Sequence, residues 1–201
     1  MNDIVIQNLC KSFGEKKVLN NFNYVFKAGH SSCIMGESGC GKTTLLNIIL
    51  GLEKLSEGTI SGVPDKKSAV FQEDRLSEDF TAYSNVHMVC NKNVSEGGIK
   101  LCLSELGLKD SIYTPVRELS GGMKRRVTIA RALMADYDLI IMDEPFKGLD
   151  EATKSLVIKY INKKTEGKTF IAVTHDEYEA KALHAEVIKM GIEHKTNNPQ
   201  G

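Results

Sequence analysis

Three short runs in this chain hold residue types that can handle phosphate. Gly36-Glu37-Ser38-Gly39-Cys40-Gly41-Lys42-Thr43 fits the pattern GxxxxGK[ST], and Thr44 follows it directly. Glycines at these spacings let the backbone wrap closely around phosphates, so that its N–H groups and a following helix N-terminus face the negative charge. Lys42 is placed to reach the β- and γ-phosphates, and the Thr43 hydroxyl to ligate Mg²⁺. A second run, Leu139-Ile140-Ile141-Met142, ends in Asp143-Glu144. An acid at the carboxyl end of a buried strand can hold a metal shell facing a phosphate loop, and an acid one residue on can accept a proton from attacking water. The third run, Leu119-Ser120-Gly121-Gly122-Met123, opens a stretch with Met123, Val127, Ala130 and Met134 at helical spacing. Ser120 is a good N-cap, and Gly121-Gly122 permit close approach to a second phosphate. Taken alone, this run also reads as an ordinary turn into an amphipathic helix with Lys124-Arg125-Arg126 on a solvated face.

These residues need rigid elements behind them. A strand at Ser31–Met35 leads into the glycine-rich turn, and a helix follows over about Thr43–Leu50, with Gly51 placed to end it. The strand Leu139–Met142 follows a helix over about Met123–Met134, and Thr169–Thr174 is a third strand rich in β-branched residues. Strands joined by helices predict an α/β core with a mostly parallel sheet. Ile4–Ile6 and Val18–Phe26 alternate like antiparallel strands, with Lys11–Lys17 as their turn. Between about Glu73 and Leu119 the rhythm breaks, and Ile99, Leu103 and Leu106 give Glu96–Leu108 helical spacing, so this region reads as a mostly helical insertion. The apolar-free tail His194–Gly201 is expected to fray.

Composition narrows the classes. The 26 basic and 26 acidic residues cancel, so no whole-molecule field gathers nucleic acid or anionic lipid. Apolar runs stay far below the ~18 residues that a membrane span needs. The amino terminus lacks the basic and long apolar stretches of a secretory leader. Five cysteines without a CxxC pair speak for reduced thiols in a cytosol rather than disulfides or zinc. The expectation is a soluble, intracellular chain.

Taken together, the runs resemble the ATP-binding cassette family, the ATPase subunits of membrane transporters. The phosphate loop, Leu119–Gly122, the strand with Asp143-Glu144, Gly148-Leu149-Asp150, Gln72 and Val173-Thr174-His175-Asp176 stand in the family's order, from about Ile4 to Met190. The run Phe71–Leu76 with Leu119–Met123 looks like the nitrate/sulfonate/taurine-type importer ATPases. It departs from them at Ser77-Glu78-Asp79-Phe80, where they continue with Pro and an aromatic, and Met123 stands where many relatives carry Gln.

The resemblance implies a P-loop NTPase (RecA-like) fold with a mostly parallel core, an antiparallel β subdomain and a helical insertion subdomain. A single ATPase domain would run over 1–190, with the insertion at about 73–119 and a flexible tail at 191–201. The short interval between Lys42 and Gln72 leaves room for a trimmed antiparallel part. ATP and Mg²⁺ are the implied cofactors. Phe13 matches the aromatic that stacks on adenine, Gln72 the glutamine that reaches Mg²⁺ and the water, and His175 the histidine at the γ-phosphate beside Glu144. Glu144, His175 and Gln72 are thus the implied catalytic set, and Thr43, Gln72 and Asp143 the metal set. Ser120, Gly121 and Gly122 would bind the ATP of a second cassette, identical or homologous, in an ATP-dependent dimer. The other implied partners are an integral membrane permease subunit and, for an importer, an extracytoplasmic solute-binding protein, with no nucleic acid. The implied location is the cytoplasmic face of the cell membrane. An exporter or lipoprotein-release complex remains open, as does a small P-loop kinase, which would need an acceptor pocket and a lid.

Overall fold

The computed structural model describes residues 1–191, and the tail expected to fray, His194–Gly201, lies outside the described residues. Among the described residues, eight strands and six α-helices follow one another: β1 Ile4–Phe13, β2 Lys16–Phe26, β3 Ser31–Gly36, α1 Lys42–Leu50, β4 Glu57–Ser61, β5 Lys67–Val70, α2 Ala82–His87, α3 Glu96–Glu105, α4 Gly121–Met134, β6 Leu139–Asp143, α5 Glu151–Thr165, β7 Thr169–Val173, α6 Glu177–Ala182 and β8 Glu186–Met190. Five strands form a sheet in the order β5-β6-β7-β3-β8, with every pair parallel, and three form a second sheet, β2-β1-β4, with both pairs antiparallel. The P-loop NTPase architecture is the one observed.

The two-residue period of the central strands sorts the core into two layers. Ile140, Met142, Phe170 and Ala172 pack with Val86, Ile99, Leu103, Val127, Val157 and Ile161 from the helices. Their alternates Leu139, Ile141, Ile171 and Val173 pack with Leu45 and Ile49 of α1 and with Ile4, Ile6, Leu19 and Phe26 of the antiparallel sheet. Strands β6 and β7 are buried at every position, as expected for a sheet covered on both faces.

The turn expected over Lys11–Lys17 is much tighter. Phe13 pairs with Lys16, leaving Gly14-Glu15 as the link, and Gly14 takes a left-handed φ of 58°, which suits a two-residue hairpin connection. Helix α4 starts two residues earlier than Met123, because the Ser120 hydroxyl accepts from the Met123 N–H at 3.3 Å and places Gly121-Gly122 in the first turn. Helix α3 is shorter than Glu96–Leu108; Leu106 is already its cap. The interval between Lys42 and Gln72 gives the antiparallel sheet one strand, β4.

The parallel topology gathers the chemistry at one edge. The loop after β3 carries Glu37–Gly41 and leads into Lys42, that after β5 carries Gln72, that after β6 carries Glu144, and that after β7 carries His175. All four leave the carboxyl ends of neighbouring strands, the usual place for a ligand crevice in such sheets. No helix among the described residues is long and apolar enough to cross a membrane. The Cys33 and Cys102 thiols are buried, and burial pushes them up to about 12 and about 11, so neither is a reactive thiolate.

Candidate nucleotide site

The phosphate loop is shaped by its glycines and by Lys42. Gly41, at the entry to α1, has φ 101°, and a Cβ there would lie 2.7 Å from Leu19 Cδ2, so only glycine lets the loop turn into the helix while resting on β2. The buried Lys42 ammonium reaches back across the loop and donates to the carbonyls of Gly36 (2.7 Å) and Glu37 (2.8 Å). Its charge is thereby held against two main-chain carbonyls of the loop. The Thr43 hydroxyl donates to Asp143 Oδ2 at 2.8 Å, which joins the start of α1 to the end of β6.

Asp143 is buried, and desolvation is the largest influence on it, raising its pKa above the ordinary carboxylate range; the neighbouring Glu144 adds to the rise, and the Thr43 hydrogen bond opposes it. A desolvated carboxylate next to a hydroxyl oxygen is a favourable pair for a hard cation. No cluster of three or more His, Cys, Asp or Glu that could cage a metal occurs among the described residues. That donor set suits Mg²⁺, which keeps waters and substrate phosphate oxygens in its shell rather than demanding an all-protein cage.

Glu144 adopts a left-handed φ of 48°, uncommon for a residue with a side chain. Its N–H still continues the sheet by donating to Val173 O at 3.0 Å. Its carboxylate Oε1 lies 2.9 Å from His175 Nε2. Together with Ser38, Gly39, Gly41, Lys42, Thr43, Thr44, Gln72 and Asp143, these two residues line a single cleft of about 280 Å³.

The structure thus brings most of the residues singled out by sequence into one place. Gly36 and Glu37 contribute their carbonyls to Lys42 from behind the loop. Phe13 stands outside the cleft lining, 49% exposed, with the Lys11 ammonium 4.6 Å from its ring centroid. Ser120 and Gly121 are exposed at the start of α4 and do not line their own chain's cleft, while a Cβ on Gly122 would sit 3.3 Å from Gly148 O. Two lining residues escaped the sequence reading: Lys16 and Val18 on β2. Their signal is the tight hairpin, which a looser turn conceals.

The alternative that puts Lys124-Arg125-Arg126 on a solvated face does not hold for Arg125 and Arg126. Arg125 is 3% exposed and bonds to the loops after β5 and β6. Arg126 is half-buried and donates to Leu106 O and Gly107 O. A charged run reads as surface because nothing in the sequence shows which carbonyls it will meet. In the neighbouring loop Glu73-Asp74-Arg75, Asp74 accepts from Arg125 at 3.1 Å.

Comparison with known proteins agrees with this geometry. The family described as "ABC transporter" matches residues 19–147. The taurine import ATP-binding protein TauB of Pelagibacter ubique is 38% identical over 91% of this chain and 76% of its own length. The aliphatic sulfonates import ATP-binding protein SsuB of Albidiferax ferrireducens is 36% identical over 92% of this chain and 69% of its own. Among solved structures, the dimeric post-hydrolysis state of the ATP-binding cassette MJ0796 bound to ADP and Pi superposes with a TM-score of 0.80 at 31% identity, covering 93% of this chain and 94% of that one. The site and fold define a Mg²⁺-dependent ATPase of the cassette type. The chain belongs to the ABC transporter family and is an ATP-binding, ATP-hydrolysing subunit.

Proposed function

We propose that this chain is the ATPase subunit of an importer, working as a dimer of cassettes on the cytoplasmic face of a membrane-embedded permease, with a solute-binding protein delivering cargo. The relatives that are import proteins for taurine and aliphatic sulfonates support an importer of small sulfonate-like anions. One ATPase domain over 1–190, with the helical insertion at about 73–119, is the working unit.

The proposed roles divide between the cleft and the exposed residues outside it. Gly36 to Thr44 cradle the triphosphate, with Lys42 turning from the Gly36 and Glu37 carbonyls to the β- and γ-phosphates. Phe13 supplies a stacking face for the base at the mouth of the hairpin. Thr43, Asp143 and Gln72 would hold Mg²⁺, whose chemistry is to neutralise charge on the phosphates. Glu144 accepts a proton from water as the water oxygen bonds to the γ-phosphorus and the bond to the ADP oxygen breaks. His175 orients the Glu144 carboxylate and faces the γ-phosphate. Ser120, Gly121 and Gly122, free of their own cleft, bind the γ-phosphate of the ATP on the other cassette. ATP then bridges the two halves, and losing the bridging phosphate favours opening.

The observation that carries this reading is the 2.9 Å contact between Glu144 Oε1 and His175 Nε2 beside the phosphate loop. It is tested by Glu144→Gln, which keeps size and hydrogen bonding but accepts no proton. Mg-ATP binding should persist while turnover falls by ~10²-fold or more. Turnover close to that of the unaltered protein would overturn the assignment.

A further inference from the structure

The side chain of Arg125 spends all its donors on the two loops that carry Glu144 and Gln72. Arginine has five N–H donors in a planar fork. Here Nε donates to Pro145 O (3.1 Å), and Nη2 donates to Asp143 O (2.7 Å) and Glu144 O (2.8 Å). Nη1 donates to Phe71 O (2.6 Å) and to Asp74 Oδ1 (3.1 Å), on either side of Gln72. Four acceptors are neutral carbonyls, and Asp74 is the one charged partner.

Three consecutive carbonyls converging on one guanidinium is not what an extended strand provides, because successive carbonyls along a strand point to opposite sides. The left-handed turn at Glu144 breaks that alternation. Its backbone strain is therefore retained by bonds to Arg125 as well as by the sheet bond from its own N–H to Val173 O. The same face of α4 is stitched to the Gln72 loop further along. Thr128 Oγ1 donates to Asp74 O at 3.1 Å, and Arg131 donates to Arg75 O at 2.8 Å and to Asp74 O at 3.2 Å. Ser120 caps the start of that same helix.

We propose that Arg125 is a positioning residue for hydrolysis: it ties helix α4 to the backbone of Glu144 and to both sides of Gln72, so that the orientation of α4 sets the general base and the glutamine together. This rests on the reading of Glu144 as general base. A phosphate bound at Ser120 moves or holds α4, and Arg125 passes that constraint to the carbonyl of Glu144 rather than to the nucleotide. Lysine is a poor replacement, since three donors on a point charge cannot serve five acceptors in a plane.

The test is a cycle on the full chain: Arg125→Lys and Arg125→Gln, each alone and combined with Glu144→Gln, with thermal melting to confirm folding. With Glu144 intact, kcat should fall by ~10-fold or more while KM and the affinity for ATP stay within ~2-fold, the signature of an interaction that matters only in the transition state. In the Glu144→Gln background, single-turnover hydrolysis should lose clearly less, ~3-fold or less, because a base that is already absent cannot be misplaced and only the positioning of Gln72 remains to be lost. A purely structural role would give equal losses in both backgrounds, and that result, or an ATP affinity falling in step with kcat, would overturn the proposal. Wild-type turnover by Glu144→Gln alone would instead remove the general-base reading and this inference with it. Should both Arg125 variants fail to fold, Asp74→Asn, which withdraws only the charged partner, enters the same cycle with a smaller expected loss of ~3-fold in kcat. No loss there, or an equal loss in both backgrounds, would count against the proposal in the same way.

Discussion

The side chains proposed to meet the nucleotide differ in how much of the fold depends on them. Lys42 is buried and satisfies two carbonyls, so replacing it disturbs the loop as well as the ligand site. Phe13 is half exposed, and the contact recorded against its ring is the Lys11 ammonium, itself held by Glu53 Oε1 at 2.7 Å and Lys54 O at 2.8 Å. A cation over one face of an aromatic ring leaves the other face for a base. Phe13→Ala should therefore barely move the melting temperature yet weaken ATP binding by ~5- to 150-fold, the range that a base–aromatic stack of about 1–3 kcal/mol implies. Fluorescent-nucleotide titration and thermal melting check the two halves of this statement. An unchanged affinity would remove Phe13 from the site.

At the scale of elements, the exposed start of α4 stands apart from the phosphate-loop cleft. Ser120 lies outside its own chain's cleft, and its hydroxyl caps the Met123 N–H. Ser120→Arg should cost about 1 kcal/mol of helix capping. It should block turnover and leave the monomer's affinity for ATP unchanged. Isothermal titration of the monomer is the check, and a large loss of affinity would show that Ser120 serves its own chain's nucleotide.

The elements legible in the sequence are those with strong local signals. Cys33–Met35, Leu139–Met142 and Phe170–Val173 are unbroken apolar runs, and α1 is bracketed by glycines at both ends. Strand β4 was not legible, because over Glu57–Ser61 only Ile60 is even half-buried and five residues carry too little alternation. Helix α5 has a signal in Asp150, which caps it by accepting from Thr153 N at 2.9 Å, but in Gly148-Leu149-Asp150 that cap coincides with a family motif and does not stand out as a helix start. Cleft-lining residues are legible where they fall in the phosphate-loop pattern or just after an apolar strand, as Lys42, Thr43, Asp143 and Glu144 do. Arg125 was hidden because its role depends on carbonyls from two distant loops, and the left-handed φ of Glu144 that aims them leaves no mark in composition.

On the scale of the whole molecule, the chain offers a phosphate cradle at one place and an exposed, glycine-rich helix start at another, with zero formal net charge to oppose association of two copies. Neither half can complete a site alone if both bind the same γ-phosphate. The account's central claim is therefore that ATP is held between two cassettes. The most direct measurement is the mass of the Glu144→Gln protein by light scattering after size exclusion, with and without saturating Mg-ATP. Stopping hydrolysis should trap the bridged state, so the mass should double from the monomer's 22.2 kDa when Mg-ATP is present. A mass that stays at 22.2 kDa at high protein concentration with nucleotide demonstrably bound would contradict the account.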